Sequence, residues 1–148
     1  MGRVQGVSGT LTDRMKKSAV RHIAIAVRDL EQAKKLFAAI TGTAVGQTTE
    51  VPDQKVRLCF VETGETRIEL ISPLEGNVSL TKFLDTRGEC LHHICLGVPD
   101  IESALQGYRQ RGFRLVDEKP RRGAEGHKIA FLHPASTGGV LIELEETD

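Results

Sequence analysis

The stretch His22-Ile23-Ala24-Ile25-Ala26-Val27-Arg28-Asp29-Leu30-Glu31 returns 71 residues later as His93-Ile94-Cys95-Leu96-Gly97-Val98-Pro99-Asp100-Ile101-Glu102. Each copy runs into an amphipathic stretch that closes on glycine, Ala33 to Gly42 and Ala104 to Gly112. Each half also ends on an Ile-Glu-Leu triplet, Ile68-Glu69-Leu70 and Ile142-Glu143-Leu144. A duplicated supersecondary unit constrains topology before any local propensity does. Here it sets one histidine and one glutamate at matching points of each half: His22 with Glu69, and His93 with Glu143. That arrangement predicts a four-ligand metal site between the halves.

Strand parity supports this reading. Side chains alternate across a strand, so Ile23, Ile25 and Val27 share one face while His22, Ala24 and Ala26 share the other. In the second copy Ile94, Leu96 and Val98 oppose His93, Cys95 and Gly97. The branched face suits a helix, and the histidine face carries only small neighbours. Glu69 and Glu143 each point opposite to their flanking Ile and Leu, which puts both carboxylates on the histidine side. Two imidazoles and two carboxylates suit Co²⁺, Mn²⁺, Fe²⁺, Ni²⁺ or Zn²⁺. His92 has the wrong parity for a ligand, and His127 and His133 lack counterparts in the first copy.

The remaining elements follow from caps and turns. Asp29, with Gln32 three residues on, predicts a helix start, and Asp100 predicts another. Gly42 and Gly112 stand where left-handed residues end helices. Strands are expected over about 43–50, 55–62 and 66–71, then over about 113–117, 127–133 and 139–145. A short helix near 78–86 joins the halves. The predicted fold class is α+β: two tandem βαβββ modules, about 21–75 and 90–146, forming a U-shaped mixed sheet around a metal-binding cavity. Residues 21–146 then make one domain, and 1–20 a leader or flexible N-terminal segment.

Composition bounds the function. With 148 residues, 39% of them hydrophobic, the chain can build one core. Twenty basic residues balance twenty acidic ones, so no general attraction to nucleic acid is expected. No apolar run reaches the length of about 18 residues that a membrane span needs. Three cysteines without a close CxxC pair argue against a disulfide framework and for a reducing, cytoplasmic setting. Cys90, His92, His93 and Cys95 crowd together, but not at the spacings of structural zinc sites.

These residues carry a resemblance. The paired His-Ile-x-x-x-Val and Ile-Glu-Leu motifs resemble the vicinal oxygen chelate (glyoxalase-like) superfamily. Three longer runs narrow the likeness to its methylmalonyl-CoA epimerase family: Gly88-Glu89-Cys90-Leu91-His92-His93-Ile94, Glu118-Lys119-Pro120-Arg121 with Gly123-Ala124 and Gly126, and Phe131-Leu132-His133-Pro134 through Ser136-Thr137-Gly138-Gly139 to Leu144. The likeness extends from about Arg21 to Glu145. It implies metal ligands at His22, His93 and Glu143, with Glu69 at a position held by Gln or Glu in relatives. It also implies a catalytic pair, Glu50 and Glu143. Lys55, Ala135 and Cys90 depart from the family pattern, without touching a proposed ligand.

The implied reaction interconverts (2R)- and (2S)-methylmalonyl-CoA through an enolate, with a divalent ion, Co²⁺ foremost, as Lewis acid. One carboxylate takes the C2 proton while an acid on the far side returns one. The substrate is an acyl-CoA of propionyl-CoA metabolism. Lys119, Arg121, Arg122 and Lys128 are cations available to its phosphates, though a solvated basic loop explains them equally well. The resemblance further implies a homodimer, located in the mitochondrial matrix if the source is eukaryotic. The runner-up reading is a glyoxalase I-like lactoylglutathione lyase or another metalloenzyme of the superfamily. An Fe(II) dioxygenase would be obstructed by Glu69 as a fourth ligand, and a ligand-sequestering protein would not need all four.

Overall fold

The computed structural model describes residues 18–147. The expected leader over 1–20 therefore lies largely outside the described residues. By compactness the chain forms two units, one of residues 21–94 and one of residues 95–147 together with 18–20. The division falls inside a strand, so His93 packs with the first unit.

The first unit contains β1 (Val20–Ala26), α1 (Leu30–Thr41), β2 (Thr49–Val51), β3 (Val56–Val61), β4 (Arg67–Pro73), α2 (Val78–Arg87) and the start of β5 (Cys90–Val98). Its strand order is β2-β3-β4-β1-β5. β1 and β4 run parallel, with Ala24 opposite Glu69 and Ile25 opposite Leu70, while β3 and β4 are antiparallel, with Phe60 opposite Glu69. α1 starts where expected: the Asp29 carboxylate accepts from the Gln32 amide at 3.1 Å, and Gly42, at φ 70°, ends it. The branched face of β1 packs on this helix. Val27, Leu30, Ala33, Cys59, Val61 and Leu70 form the core, with Ile25, Phe37 and Ile68 against it. Burial pushes the Cys59 thiol up to about 11, so it is a neutral packing group.

The second unit continues β5 into α3 (Ile101–Gln110), β6 (Arg121–Arg122), β7 (Lys128–Leu132) and β8 (Leu141–Glu146). Its order is β5-β8-β7-β6. Asp100 caps α3 by accepting from the Ser103 amide at 3.1 Å, and this bond is the main reason its carboxyl sits below its ordinary value. Val98, Ile101, Leu105, Ala130, Leu132 and Leu144 form its core.

Two expected strands are much shorter. Over 43–50 only the bridge Val45–Val61 and the three-residue β2 form. The Gly46 amide donates to the Phe60 carbonyl at 2.9 Å, and a Cβ there would meet that oxygen at 3.1 Å; this close approach interrupts the ladder. Over 113–117 a single bridge, Leu115–Leu132, remains. Both the Val116 and Asp117 amides donate to the Phe131 carbonyl, while the Asp117 carboxylate accepts from the Phe131 amide at 2.8 Å. Two residues opposing one is a bulge, and the side chain takes over a ladder bond.

Candidate metal centre

The register of the first unit explains how its site forms. β1 and β4 are parallel and in register at Ala24–Glu69, so Glu69 stands on the face shared by His22 and Ala24. His93 reaches the same place from β5. The ligand atoms of His22, Glu69 and His93 lie within 4.8 Å of one another. His22 Nε2 is 3.2 Å from His93 Nε2 and 3.8 Å from one Glu69 oxygen, and His93 Nε2 is 3.7 Å from the other. All three residues are buried, at 3%, 6% and 5% exposure. Ala24 and Ala26 are fully buried beside them, and these short side chains let the two imidazoles approach, with ring centroids 5.4 Å apart. Phe60 closes one side, its ring 5.8 Å from that of His22, and Arg67 lies over Phe60 at 3.8 Å.

Burying two imidazoles and a carboxylate together carries a desolvation cost that a shared cation offsets. Donor type, spacing and burial all fit a divalent ion. Such an ion would be held by Nε2 of both histidines and by the Glu69 carboxylate.

Within the first unit the structure brings together three of the expected residues. Glu143 lies in the second unit on β8, buried at 7% exposure and opposite Phe131, as Glu69 lies opposite Phe60. Glu50 is on β2 at the surface and is not a member of the buried cluster. Arg57 donates to its Oε1 through Nη2 at 2.8 Å and Nε at 3.3 Å.

One residue was missed in the sequence, and another that was set aside there touches the triad. His92, set aside for its parity, has Nδ1 2.8 Å from Nδ1 of His93, and its ring packs edge-on against Phe83 at 4.7 Å. A partner on the far nitrogen sets the orientation of a ligating imidazole, and the adjacent His-His pair was the available signal. Glu145 is buried at 6% exposure, and its carboxylate accepts from the Cys95 thiol at 3.9 Å. Its parity matches that of Glu143, so strand alternation alone could have found it. Within the second unit, ligand atoms of Cys95, Glu143 and Glu145 lie within 4.8 Å of one another.

With this geometry established, comparison with known proteins becomes specific. The model for the glyoxalase/bleomycin resistance protein/dioxygenase superfamily matches residues 21–131. The chain belongs to that superfamily. The α+β fold of paired βαβββ modules is accordingly the one expected. The mitochondrial methylmalonyl-CoA epimerase of Homo sapiens is 37% identical over 128 residues, covering 86% of this chain and 73% of the relative. The ethylmalonyl-CoA/methylmalonyl-CoA epimerase of Cereibacter sphaeroides is 36% identical over 129 residues, covering 86% and 96%. Among solved structures, a Streptomyces coelicolor methylmalonyl-CoA epimerase variant in complex with 2-nitronate-propionyl-CoA superposes with a TM-score of 0.82. That pair is 31% identical, over 88% of this chain and 95% of the other. In this superfamily member no helix among the described residues is long and apolar enough to cross a membrane.

Proposed function

We propose that this protein is an epimerase that interconverts (2R)- and (2S)-methylmalonyl-CoA by removing and returning the C2 proton. The observation that carries the reading is the buried His22–Glu69–His93 cluster, found in a chain 37% identical to an epimerase over 86% of its length. Residues 21–146 act as one catalytic domain.

The C2 proton lies between a thioester and a carboxylate, yet it is too weak an acid to leave quickly at neutral pH without help. A divalent ion, when bound, supplies a Lewis acid that offsets the charge developing on the enolate oxygen. His22, Glu69 and His93 would hold that ion, with Glu143 as fourth ligand and Co²⁺ as the preferred metal. Burial of the cluster keeps water away, which strengthens every charge interaction inside it. A substrate fixed against these residues also loses the entropic part of the barrier.

Inversion needs proton exchange on opposite faces of C2, and Glu50 and Glu143 serve as the pair. Both Arg57 bonds fall on Oε1 of Glu50, which orients the carboxylate from one side and leaves Oε2 outside that pair of bonds. Glu143 is supported by its register opposite Phe131, which repeats the relation of Glu69 to Phe60. Its basicity depends on how tightly it holds the metal. A homodimer in the cytoplasm, feeding propionyl-CoA metabolism, completes the proposal.

The deciding experiment is proton NMR of methylmalonyl-CoA in deuterated buffer. Catalytic amounts of protein should erase the C2 proton signal, chelator should stop the loss, and added Co²⁺ should restore it. An intact C2 signal after prolonged incubation with metal-loaded protein would overturn the reading. Robust turnover of lactoylglutathione hemithioacetal would replace it with the lyase.

A further inference from the structure

β5 carries two adjacent histidines, and His93 is the one that belongs to the buried triad. It turns Nε2 into that triad, 3.2 Å from His22 Nε2 and 3.7 Å from a Glu69 oxygen. Its other nitrogen, Nδ1, is 2.8 Å from Nδ1 of His92. A neutral imidazole has one N–H and one lone pair. When Nε2 of His93 gives its lone pair to a divalent ion, the proton of that ring stands on Nδ1. His93 Nδ1 is then the donor, and His92 Nδ1 must be the acceptor. The direction of the bond follows from the ligation.

His92 is seated by residues of the same unit. Its ring is half-buried and stands 5.1 Å from that of His93, at 78°. Phe83 of α2 meets it edge-on at 4.7 Å, and the Arg87 guanidinium lies 5.4 Å from the Phe83 ring. α2 is itself anchored. Asn77 caps it by accepting from the Leu80 amide at 2.9 Å, Leu80 and Leu84 are buried, and Arg28 donates to the Leu84 carbonyl at 2.8 Å. The Arg28 amide also donates to the Glu89 carboxylate at 3.0 Å, just before β5 begins. In the first copy of the module the equivalent position, 71 residues earlier, is Arg21. A guanidinium has no lone pair to offer, so this kind of support is particular to the second histidine.

We propose that His92 is a positioning residue of the metal centre: its Nδ1 lone pair holds His93 in the tautomer and ring orientation that aim Nε2 at the ion. The inference rests on the metal reading of the triad and adds to it a residue outside the ligand set. Loss of such a partner typically costs about 10–100-fold in metal affinity. Packing alone would need a ring of this size against Phe83, whereas positioning needs an acceptor beside His93 Nδ1. The two roles ask for different replacements.

Calorimetric titration of the chelator-stripped full chain with Co²⁺ separates them. His92→Phe keeps the ring and removes the acceptor, and should weaken Co²⁺ by about tenfold or more. His92→Asn loses the ring but sets an amide oxygen near where Nδ1 stood, and should stay within about threefold of the parent. The reverse order, with Phe at parental affinity and Asn weakened, would make His92 a packing residue and overturn the proposal. Equal affinity in all three proteins, or equal loss in both variants, would do the same. A second measurement needs no substitution and so does not depend on how the variants fold. In the Zn²⁺-loaded parent, long-range proton–nitrogen NMR should find His92 protonated on Nε2 and His93 on Nδ1. A His92 proton on Nδ1 with the ion bound defeats this inference alone. A parent that takes up neither ion defeats the metal reading, and this inference with it.

Discussion

The two copies of the module keep the same pairing but not the same spacing. Phe60 and Glu69 face each other across the first hairpin, and Phe131 and Glu143 across the second. The first pair is nine residues apart (69 − 60 = 9) and the second twelve (143 − 131 = 12), so the second hairpin carries three more residues. Three is an odd number, and inside a strand it would turn every following side chain to the other face. The extra residues sit instead in a connection containing a 3₁₀ turn, Pro134–Ser136, capped by His133 and followed by Gly138 and Gly139 at positive φ. A longer loop costs little closure entropy, whereas a slipped strand would send Glu143 away from the histidine-type face. The carboxylate keeps its face because the difference in length falls in the loop and the register is unchanged.

The copies also differ beside the site. Two residues beyond Glu69 stands Ile71, and two beyond Glu143 stands Glu145, both buried. Ala24 in the first copy corresponds to Cys95 in the second, and the Cys95 thiol donates to Glu145. The first unit has placed its polar groups in one compact triad, and the second has a broader acidic face.

The comparison can be broken or sharpened by mutation. The largest effect should come from His22→Ala, which removes a triad donor. Metal content by mass spectrometry should fall to background, and turnover by roughly a thousandfold or more. A variant that keeps both would dismantle the triad as a metal centre. Next comes Glu50→Gln, expected to slow C2 exchange into deuterated water about a hundredfold or more with metal retained. An unchanged rate would leave the first unit without a base and shift the proton chemistry to Glu143. Gly123→Ala places a methyl 2.8 Å from the Ile129 side chain and should cost about 1–3 kcal/mol by denaturant unfolding.

The smallest effects are in the backbone and caps. Lys55 is a non-glycine residue at φ 54°, so Lys55→Gly should stabilise by about 1 kcal/mol, read as an increase in the urea midpoint. Asp100→Ala should lower Tm slightly at neutral pH. The Ser103 amide holds this carboxyl below its ordinary value, so its contribution is present above the unfolded carboxylate pKa and is lost as pH falls through the folded one. The two proteins should therefore converge in Tm at acid pH, once the pH lies below the lowered pKa of the folded carboxyl.

Much of the fold was legible because repetition and parity are written residue by residue. Both helix starts, the glycine stops and the shared face of His22, Glu69 and His93 follow from side-chain type and spacing. For His92, alternation predicts only where the Cβ points. Its ring nevertheless brings Nδ1 to 2.8 Å from that of His93, with Phe83 beside it from α2. The strands near 43–50 and 113–117 were overestimated because Gly46 and Asp117 act through partners on other strands, and no local pattern reveals such partners.

From its amino acids alone, this chain declared a duplicated βαβββ unit, its helix caps and the face on which its imidazoles and carboxylates stand, since period and parity are local properties. Only the tertiary structure decided that His22, Glu69 and His93 come within 4.8 Å and that His92 touches His93. Those facts depend on strand register and on packing between residues distant in sequence, where small shifts of backbone decide which side chains meet.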